Sequence, residues 1–246
     1  MTKNKKNFIL EDHINKDYFK KKLHPKDKIK LNKIIKIIYE NLDNKKDTFH
    51  ILSKKFIFNY EYFNLKKFEK YKSVILIGMG GSVLGSHSIY TFLKHKIKKN
   101  FIFLDNLDQS KIEHVRKKVN LKASLFIIIS KSGNTIETLI NSNLFKNDIS
   151  SKNSIIITEQ KNNLLNTFGV KKNILQIPHK FYLGGRYSVL SEVGMVPAYF
   201  MGLNVKNFRN KLLSFLNTKQ NLILSESIVK LAHIYNAKKI KSIVLL

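Results

Sequence analysis

The sequence predicts an α/β fold, a three-layer αβα domain built on a parallel sheet. Three observations predict it: short apolar runs rich in β-branched residues, helical stretches between those runs, and loops of small and hydroxyl residues where two of the runs end. Strands that are apolar on both faces are typical of parallel sheets covered by helices on both sides. The 246 residues can bury such a core, and the hydrophobic fraction of 43% is that of a globular protein.

The N-terminal part, residues 1–70, is predicted to be a mainly helical segment. Isoleucines and leucines recur over residues 29–42 at near-helical spacing, with lysines at the other positions. Aromatic residues crowd residues 49–68. We interpret that crowding as an apolar cap on the following domain rather than as a platform on which a ligand stacks.

Short apolar runs predict the strands of the sheet. They are residues 74–77, 101–104, 125–129, 155–157 and 174–177. The chain between them is long enough for the right-handed crossovers of a parallel sheet, so residues 71–205 form the predicted α/β domain. Such a sheet binds its ligand at the carboxyl ends of the strands.

Residues 206–246 are predicted to link this domain to the start of a second one. A helix is predicted from Pro197 to about residue 216, a second helix from about residue 221 to residue 239, and a buried strand at residues 242–246. An unpaired apolar strand would be open to aggregation. We therefore expect the whole protein to continue beyond Leu246.

The strong positive charge does not by itself indicate a nucleic-acid partner. The formal net charge is +28, yet only three of the 45 basic residues are arginine: Arg116, Arg186 and Arg209. The lysines are spread along a chain rich in Asn and Ile, as a compositional bias of the source genome produces. A nucleic-acid-binding surface would cluster arginine with exposed aromatic residues. Nucleic acid is therefore not an expected partner, although the charge can steer an anionic ligand to its site.

The cysteine count restricts the chemistry of the chain, and the N-terminal residues indicate its compartment. The chain has no cysteine, which excludes disulfides, thiolate metal sites and a cysteine nucleophile. Its first residues are basic but lack the apolar core of a signal peptide, and no stretch approaches the roughly 18 apolar residues of a membrane span. We expect a cytoplasmic protein with no membrane partner.

A glycine-rich loop, Gly-Met-Gly-Gly-Ser-Val-Leu-Gly at residues 78–85, follows the first predicted strand. Glycines let the backbone approach an anion closely, and the helix start that follows offers unpaired N–H groups. A dinucleotide-binding loop would have glycine at Val83, and a nucleotide P-loop would have lysine at Ser86. Gly81 and Ser82 are candidates to contact a phosphate or a sugar. This loop alone does not decide whether such a ligand binds here.

Hydroxyl groups follow the third predicted strand, in Ser-Lys-Ser-Gly-Asn-Thr at residues 130–135. With the amides of a helix start, Ser130, Ser132 and Thr135 would line a cup of phosphate size, and Lys131 adds positive charge nearby. The alternative is that Thr135 caps the helix. Capping uses the same free amides and does not exclude phosphate binding.

Arg186 follows two glycines in Gly-Gly-Arg-Tyr-Ser-Val-Leu-Ser, residues 184–191. These glycines, Gly185 among them, leave room for a ligand, and a guanidinium stabilises negative charge that develops on substrate oxygens. A salt-bridged structural arginine is the alternative that this segment leaves open.

In this order and after these strands, the three segments resemble glucose-6-phosphate isomerase, a family with two sugar isomerase (SIS) domains. The likeness covers about residues 70–246, and the N-terminal segment is only compatible with it. The resemblance implies an SIS-type three-layer αβα domain, preceded by the helical N-terminal segment and followed by the start of a second SIS domain.

The resemblance also implies a reaction. The family interconverts glucose 6-phosphate and fructose 6-phosphate through a cis-enediol(ate), in glycolysis and gluconeogenesis, without a metal or other cofactor. Its members typically form homodimers that complete the site with a residue of the partner subunit. The family's catalytic arginine corresponds to Arg186. Its substrate-binding positions correspond to Gly81, Ser82, Ser130, Lys131, Ser132, Thr135 and Gly185.

The resemblance places the remaining catalytic groups outside these 246 residues. The family's general base is a glutamate of the second SIS domain, and its ring-opening histidine and a C-terminal lysine lie further on. His87 and His179 lie near the motif loops, but we interpret both as incidental, and Glu192 receives no role. We therefore expect this chain to bind sugar phosphate with little turnover of its own. The alternative is a stand-alone SIS domain that senses sugar phosphate without catalysis.

Overall fold

The computed structural model describes residues 25–210, 212–216 and 222–236. The strand predicted at residues 242–246 lies outside the described residues. The chain divides into two compact units, a larger one of Leu42–Asn210 and a smaller one from the parts of the chain on either side of it. The predicted domain boundaries after residues 70 and 205 stay a proposal.

A five-stranded parallel sheet forms the centre of the larger unit. Its strand order is β2-β1-β3-β4-β5. β2 forms one edge beside β1, and β3, β4 and β5 follow in sequence to the opposite edge. The strands are β1 (Ser73–Gly78), β2 (Asn100–Leu104), β3 (Ser124–Ile129), β4 (Ser154–Thr158) and β5 (Leu175–Pro178). Each strand lies within one residue of its predicted bounds at either end, which confirms the α/β fold class.

Helices of the larger unit cover both faces of the sheet. The described helices are α1 (Pro25–Asn41), α2 (Tyr62–Lys66), α3 (Leu84–Leu93), α4 (Gln109–Lys118), α5 (Ile136–Leu144), α6 (Leu164–Lys171), α7 (Glu192–Phe200), α8 (Val205–Asn210) and α9 (Leu222–Asn236). Val74 and Leu76 of β1 face a core shared with α3 and α7. The alternate residues Ile75 and Ile77 face a second core shared with α4, α5 and α6. Such alternation places one apolar layer on each side of a strand.

The helix around Pro197 differs from the prediction, because α7 begins upstream of this proline and α8 follows as a separate helix. A proline inside a helix leaves the carbonyl four residues earlier without its N–H donor. Here that carbonyl belongs to Val193, and the Oγ of Ser86 donates to it at 3.3 Å. The replacement donor comes from α3, so the helix continues through the proline.

The aromatic-rich segment packs into the larger unit. Phe56 shares a small core with Ile51 and Leu183. Leu65 and Phe68 are fully buried in the core beneath α3 and α7. These contacts tie the segment to the loop that precedes Arg186.

The smaller unit contains α1 packed against α9. The Nε2 of His233 lies 2.8 Å from Oδ2 of Asp27. Ile29, Ile34 and Ile37 of α1 are exposed, so helical periodicity indicated the helix but not which face is buried. Within the described ranges, no helix has both the length and the apolar character that crossing a lipid bilayer requires.

Candidate functional site

The glycine loop and the hydroxyl loop leave the sheet side by side. In the parallel pairing of β1 with β3, Gly78 lies opposite Ile129, so both loops start at the same level of the sheet's carboxyl edge. A methyl group on Gly78 would lie 3.0 Å from the carbonyl oxygen of Ile129. Glycine therefore keeps the starts of the two loops close together.

The arginine segment reaches the glycine loop from the far edge of the sheet. β5 is an edge strand, and the chain returns from it to the short 3₁₀ helix Gly185–Tyr187. A methyl group on Gly81 would lie 2.3 Å from the carbonyl carbon and oxygen of Gly185. The two loops thus touch backbone to backbone, and only glycine fits at position 81. The three motif segments predicted from the sequence lie at one end of the sheet.

Hydroxyl groups converge in the loop after β3. The Oγ1 of Thr135 lies 2.9 Å from the Oγ of Ser130 and 3.3 Å from the Oγ of Ser132. Thr135 occupies the N-cap position of α5, but its side chain makes no capping hydrogen bond. The first turn of α5 and the three hydroxyls therefore offer donors of the kind that a phosphate uses.

The start of α6 donates hydrogen bonds to the hydroxyl loop and packs against it. Gly133 has φ +71°, in the region that L side chains rarely adopt, and its carbonyl accepts the N–H of Leu165 at 3.0 Å. The Oδ1 of Asn134 accepts the N–H of Leu164 at 3.0 Å. A methyl group on Gly133 would lie 1.9 Å from Oδ1 of Asn163. The loop is thus fixed before any ligand arrives.

The side chain of Lys131 extends to the segment that precedes Arg186. Its Nζ donates to the carbonyl oxygen of Phe181 at 2.8 Å and lies 3.4 Å from Oε1 of Glu159. The Oε2 of Glu159 lies 2.6 Å from Nζ of Lys161. Burial raises the pKa of Glu159, but the two lysines outweigh it and hold that pKa below its usual value.

Arg186 is exposed, and its guanidinium forms no hydrogen bond or salt bridge with any residue that the structure describes. The other two arginines bind backbone carbonyls: Arg116 that of Leu144, and Arg209 that of Ile51. This contrast separates Arg186 from the arginines that hold the fold together. A free guanidinium is available to an anionic ligand.

The two histidines near the loops make packing contacts. The ring of His87 stacks on Phe103 with 4.5 Å between centroids. His179 is buried, and its Nδ1 lies 2.9 Å from the carbonyl oxygen of Lys180. Burial lowers the pKa of His179, which keeps its imidazole neutral.

Glu192 is fully buried at the start of α7. Its Oε1 accepts the N–H of Asn59 at 2.7 Å and lies 3.6 Å from Nζ of Lys180. Within the described part of the chain, its Oε2 has no hydrogen-bond partner. Burial raises the pKa of Glu192 above its ordinary value.

A cavity of about 460 Å³ opens at the carboxyl ends of β4 and β5. Glu159, Lys161 and residues 178–182 are part of its lining. Its volume falls in the range of ligand pockets, roughly 300–1,000 Å³. In the ranges that the structure describes, no cluster of three or more His, Asp or Glu side chains is arranged to hold a metal ion.

Sequence reasoning missed the groups that support the site. Glu159 and Asn163 follow β4 in a stretch without a recognisable motif, and only their contacts with Lys131 and Gly133 reveal them. No local signal in the sequence marks them, because both contacts join parts of the chain that are far apart.

The family model described as "Phosphoglucose isomerase" matches residues 5–220. The chain belongs to the phosphoglucose isomerase family. The glucose-6-phosphate isomerase of Methanocaldococcus jannaschii is 33% identical over 204 residues, which cover 78% of this chain and 47% of the relative. That of Borreliella afzelii is 36% identical over 143 residues, which cover 52% of this chain and 26% of the relative. The chain thus spans about half of the first and about a quarter of the second.

Solved structures of similar fold agree with the α/β architecture of the larger unit. A hypothetical protein from Thermus thermophilus matches with a TM-score of 0.67 at 18% identity, covering 86% of this chain and 53% of that chain. A glucose-6-phosphate isomerase from Chlamydia trachomatis matches with a TM-score of 0.53 at 24% identity, covering 67% of this chain and 33% of that chain. These likenesses confirm the SIS-type αβα domain.

Proposed function

We propose that this protein acts in glucose-6-phosphate isomerisation, the interconversion of glucose 6-phosphate and fructose 6-phosphate in glycolysis and gluconeogenesis. Family membership supports the reaction. The observation that carries the proposal for this chain is the backbone contact between Gly81 and Gly185. It brings the glycine loop against the segment of Arg186, whose guanidinium has no partner among the described residues. The proposed reaction passes through a cis-enediol(ate).

In this proposal the phosphate of the sugar binds in the hydroxyl loop. Ser130, Ser132 and Thr135 supply hydroxyl donors and the first turn of α5 supplies amides. Lys131 contributes its backbone to this loop, while its ammonium binds the carbonyl oxygen of Phe181. Gly81 and Ser82 of the neighbouring loop lie on the sugar side. A bound phosphate then fixes the distance of the reacting carbons from the loop.

Arg186 is proposed to stabilise the enediolate. Removal of the C2 proton leaves negative charge on the sugar oxygens, and the proton returns at C1 to complete the isomerisation. A guanidinium beside those oxygens accelerates the reaction because the charge it neutralises exists only near the transition state. Gly185 leaves room for the sugar beside Arg186.

We propose that the general base is neither Glu159 nor Glu192. Two lysines bind Glu159, and Glu192 is fully buried against Asn59 and Lys180. General-base catalysis contributes about 10²–10⁴-fold. The described residues alone are therefore expected to bind the substrate with little turnover.

Titration calorimetry of this chain with glucose 6-phosphate, beside a coupled isomerase assay, tests the proposal. We expect sugar-phosphate binding, and we expect Arg186→Lys to weaken binding of an enediolate analogue more than binding of glucose 6-phosphate. A sensor protein would lose both ligands equally. Absence of binding by the folded chain would contradict the function, and a robust isomerase rate would contradict the assignment of the base.

We also propose that the protein works as a cytoplasmic homodimer without a nucleic-acid partner. The family resemblance supports the homodimer, and the N-terminal residues and the dispersed lysines support the other two expectations. Light scattering of the full chain measures the oligomeric state. A DNA affinity that falls steeply with salt would count against this proposal, since neutralised phosphates release counterions.

A further inference from the structure

Lys131 links the hydroxyl loop to the segment that carries Arg186. Its backbone belongs to the loop between Ser130 and Ser132, while its Nζ donates to the carbonyl of Phe181, 50 residues further along the chain. Phe181 precedes Arg186 by only five residues. The link therefore runs from the proposed phosphate loop to the proposed catalytic arginine.

Glu159 binds both the backbone carbonyl and the side-chain ammonium of Lys131. Its backbone N–H donates to the Lys131 carbonyl at 3.1 Å, and its carboxylate lies 3.4 Å from the Lys131 ammonium. The side chain of Glu159 is only 14% exposed, so the pair is less screened than a surface ion pair. A lysine held at its carbonyl and at its ammonium loses the rotamer freedom that a lone surface lysine keeps.

The segment between Phe181 and Arg186 is held by its own turns and by one buried side chain. Leu183 is fully buried against Ile51 and Phe56. The N–H of Leu183 donates to the carbonyl of Lys180 at 3.2 Å, and the N–H of Tyr187 donates to that of Gly184 at 3.0 Å. These contacts make residues 180–187 a pair of closed turns around a buried anchor.

We propose that Lys131 and Glu159 are positioning residues that couple phosphate binding to the placement of Arg186. The proposal rests on the proposed function and deepens it. The substrate phosphate lies away from the carbons that react, and binding energy from such a remote group accelerates a reaction when it orients groups at the reacting centre. The ammonium of Lys131 then acts through Phe181 and not as a direct ligand of the phosphate.

Two probes separate these roles in calorimetry of the full chain. Inorganic phosphate occupies the hydroxyl loop alone, whereas arabinonate 5-phosphate also presents a carboxylate in place of the two enediolate oxygens. Lys131→Met and Glu159→Gln are each expected to weaken arabinonate 5-phosphate binding on the order of tenfold, the size of a coupling between contacting groups. Both are expected to change phosphate affinity by less than about twofold.

Lys161→Met is the matched control. It removes the same charge and a partner of the same carboxylate, but Lys161 does not bind the carbonyl of Phe181. The ratio of the two affinities should stay at its wild-type value in this variant. Lys131→Arg keeps a cationic donor and should restore most of the ratio. In a double-variant cycle, Lys131→Met should add little once Arg186→Lys is present, because both act on one interaction.

Equal losses for both probes in Lys131→Met would overturn the proposal, since they would make the ammonium a direct phosphate ligand. The same losses in Lys161→Met would overturn it too, because charge alone would explain them. If wild type binds neither probe, the proposed function fails. If wild type binds both and every variant keeps the wild-type ratio, only the coupling fails. Circular dichroism of each variant establishes that it is folded.

Discussion

The hydroxyl loop at residues 130–135 and the arginine segment at residues 184–191 are held in opposite ways. In the first, the polar side chains already have partners: the Oγ of Ser130 binds the N–H of Gly133 and the hydroxyl of Thr135. In the second, the backbone is packed against Gly81, while the guanidinium of Arg186 has no partner among the described residues. A phosphate keeps its charge through the reaction and suits a prearranged loop. The charge of an enediolate appears only during the reaction and suits a free cation.

Each of these two regions has a carboxylate beside it, and the two carboxylates differ in their partners and in the direction of their pKa shift. Glu159, behind the hydroxyl loop, is bound by Lys131 and Lys161, and its pKa is lowered. Glu192, behind the arginine segment, is buried with one oxygen lacking a partner in the described ranges, and its pKa is raised. The ionised form of Glu159 therefore stabilises the region of the hydroxyl loop, whereas the ionised form of Glu192 destabilises the region of the arginine segment.

The largest effect is expected from Gly81→Ala, which breaks the contact between the two regions. The added methyl group would meet the backbone of Gly185 at 2.3 Å, and backbone cannot move aside as a side chain does. We expect a loss of about 3 kcal/mol of unfolding free energy, measured by urea denaturation, together with loss of sugar-phosphate binding.

Gly80→Ala is the matched control for this change. Gly80 has φ +51°, but nothing lies within 4 Å of the methyl position. The cost should be only that of the left-handed backbone, about 1–2 kcal/mol, with binding retained. Equal losses of binding in the two variants would mean that the contact with Gly185 does not organise the site.

A smaller effect is expected from Thr135→Val, which removes one hydroxyl from the prearranged loop. Phosphate affinity should fall about tenfold, as for a lost hydrogen bond to a charged group. Stability should fall by less than about 1 kcal/mol, since the Thr135 side chain does not cap α5. Calorimetry and thermal unfolding measure the two quantities, and Thr91→Val on the exposed face of α3 serves as the control. Unchanged phosphate binding with a cap-sized loss of stability would assign Thr135 to the helix instead.

The smallest effects concern pH and the two carboxylates. The folded pKa of Glu192 is raised, so its stabilising contribution is present below the ordinary value of 4.5 and is lost as the pH rises towards the folded pKa. The folded pKa of Glu159 is lowered, so its contribution is present above 4.5 and is lost as the pH falls through the folded pKa.

Urea unfolding between pH 3 and pH 8 therefore distinguishes Glu192→Gln from Glu159→Gln. Wild type should lose stability above about pH 4.5, because the buried Glu192 is then driven to ionise. Glu192→Gln has no carboxyl group to ionise, so the variant should become more stable relative to wild type as the pH rises. Glu159→Gln should be less stable than wild type at neutral pH and approach it in acid. Parallel profiles for both variants and wild type would show that neither carboxylate is held as described.

The strands are predictable from the sequence because runs such as residues 125–129 are apolar on both faces, which only a sheet covered twice can bury. The start of α7 is not predictable in the same way. Local rules predict that a helix starts at Pro197. The helix instead passes through this proline, because the hydroxyl of Ser86 on another helix donates to the carbonyl that the proline leaves without a donor.

By itself, the sequence determined which residue types follow which strands: the glycines after β1, the hydroxyls after β3 and the Gly-Gly-Arg segment beyond β5. Those are local properties of composition and spacing. Only the tertiary structure decided that Gly81 touches Gly185, that Lys131 binds the carbonyl of Phe181 and that Arg186 has no partner in the described part of the chain. The physical reason is that such contacts depend on strand order and on the path of the chain between strands, which local spacing does not encode.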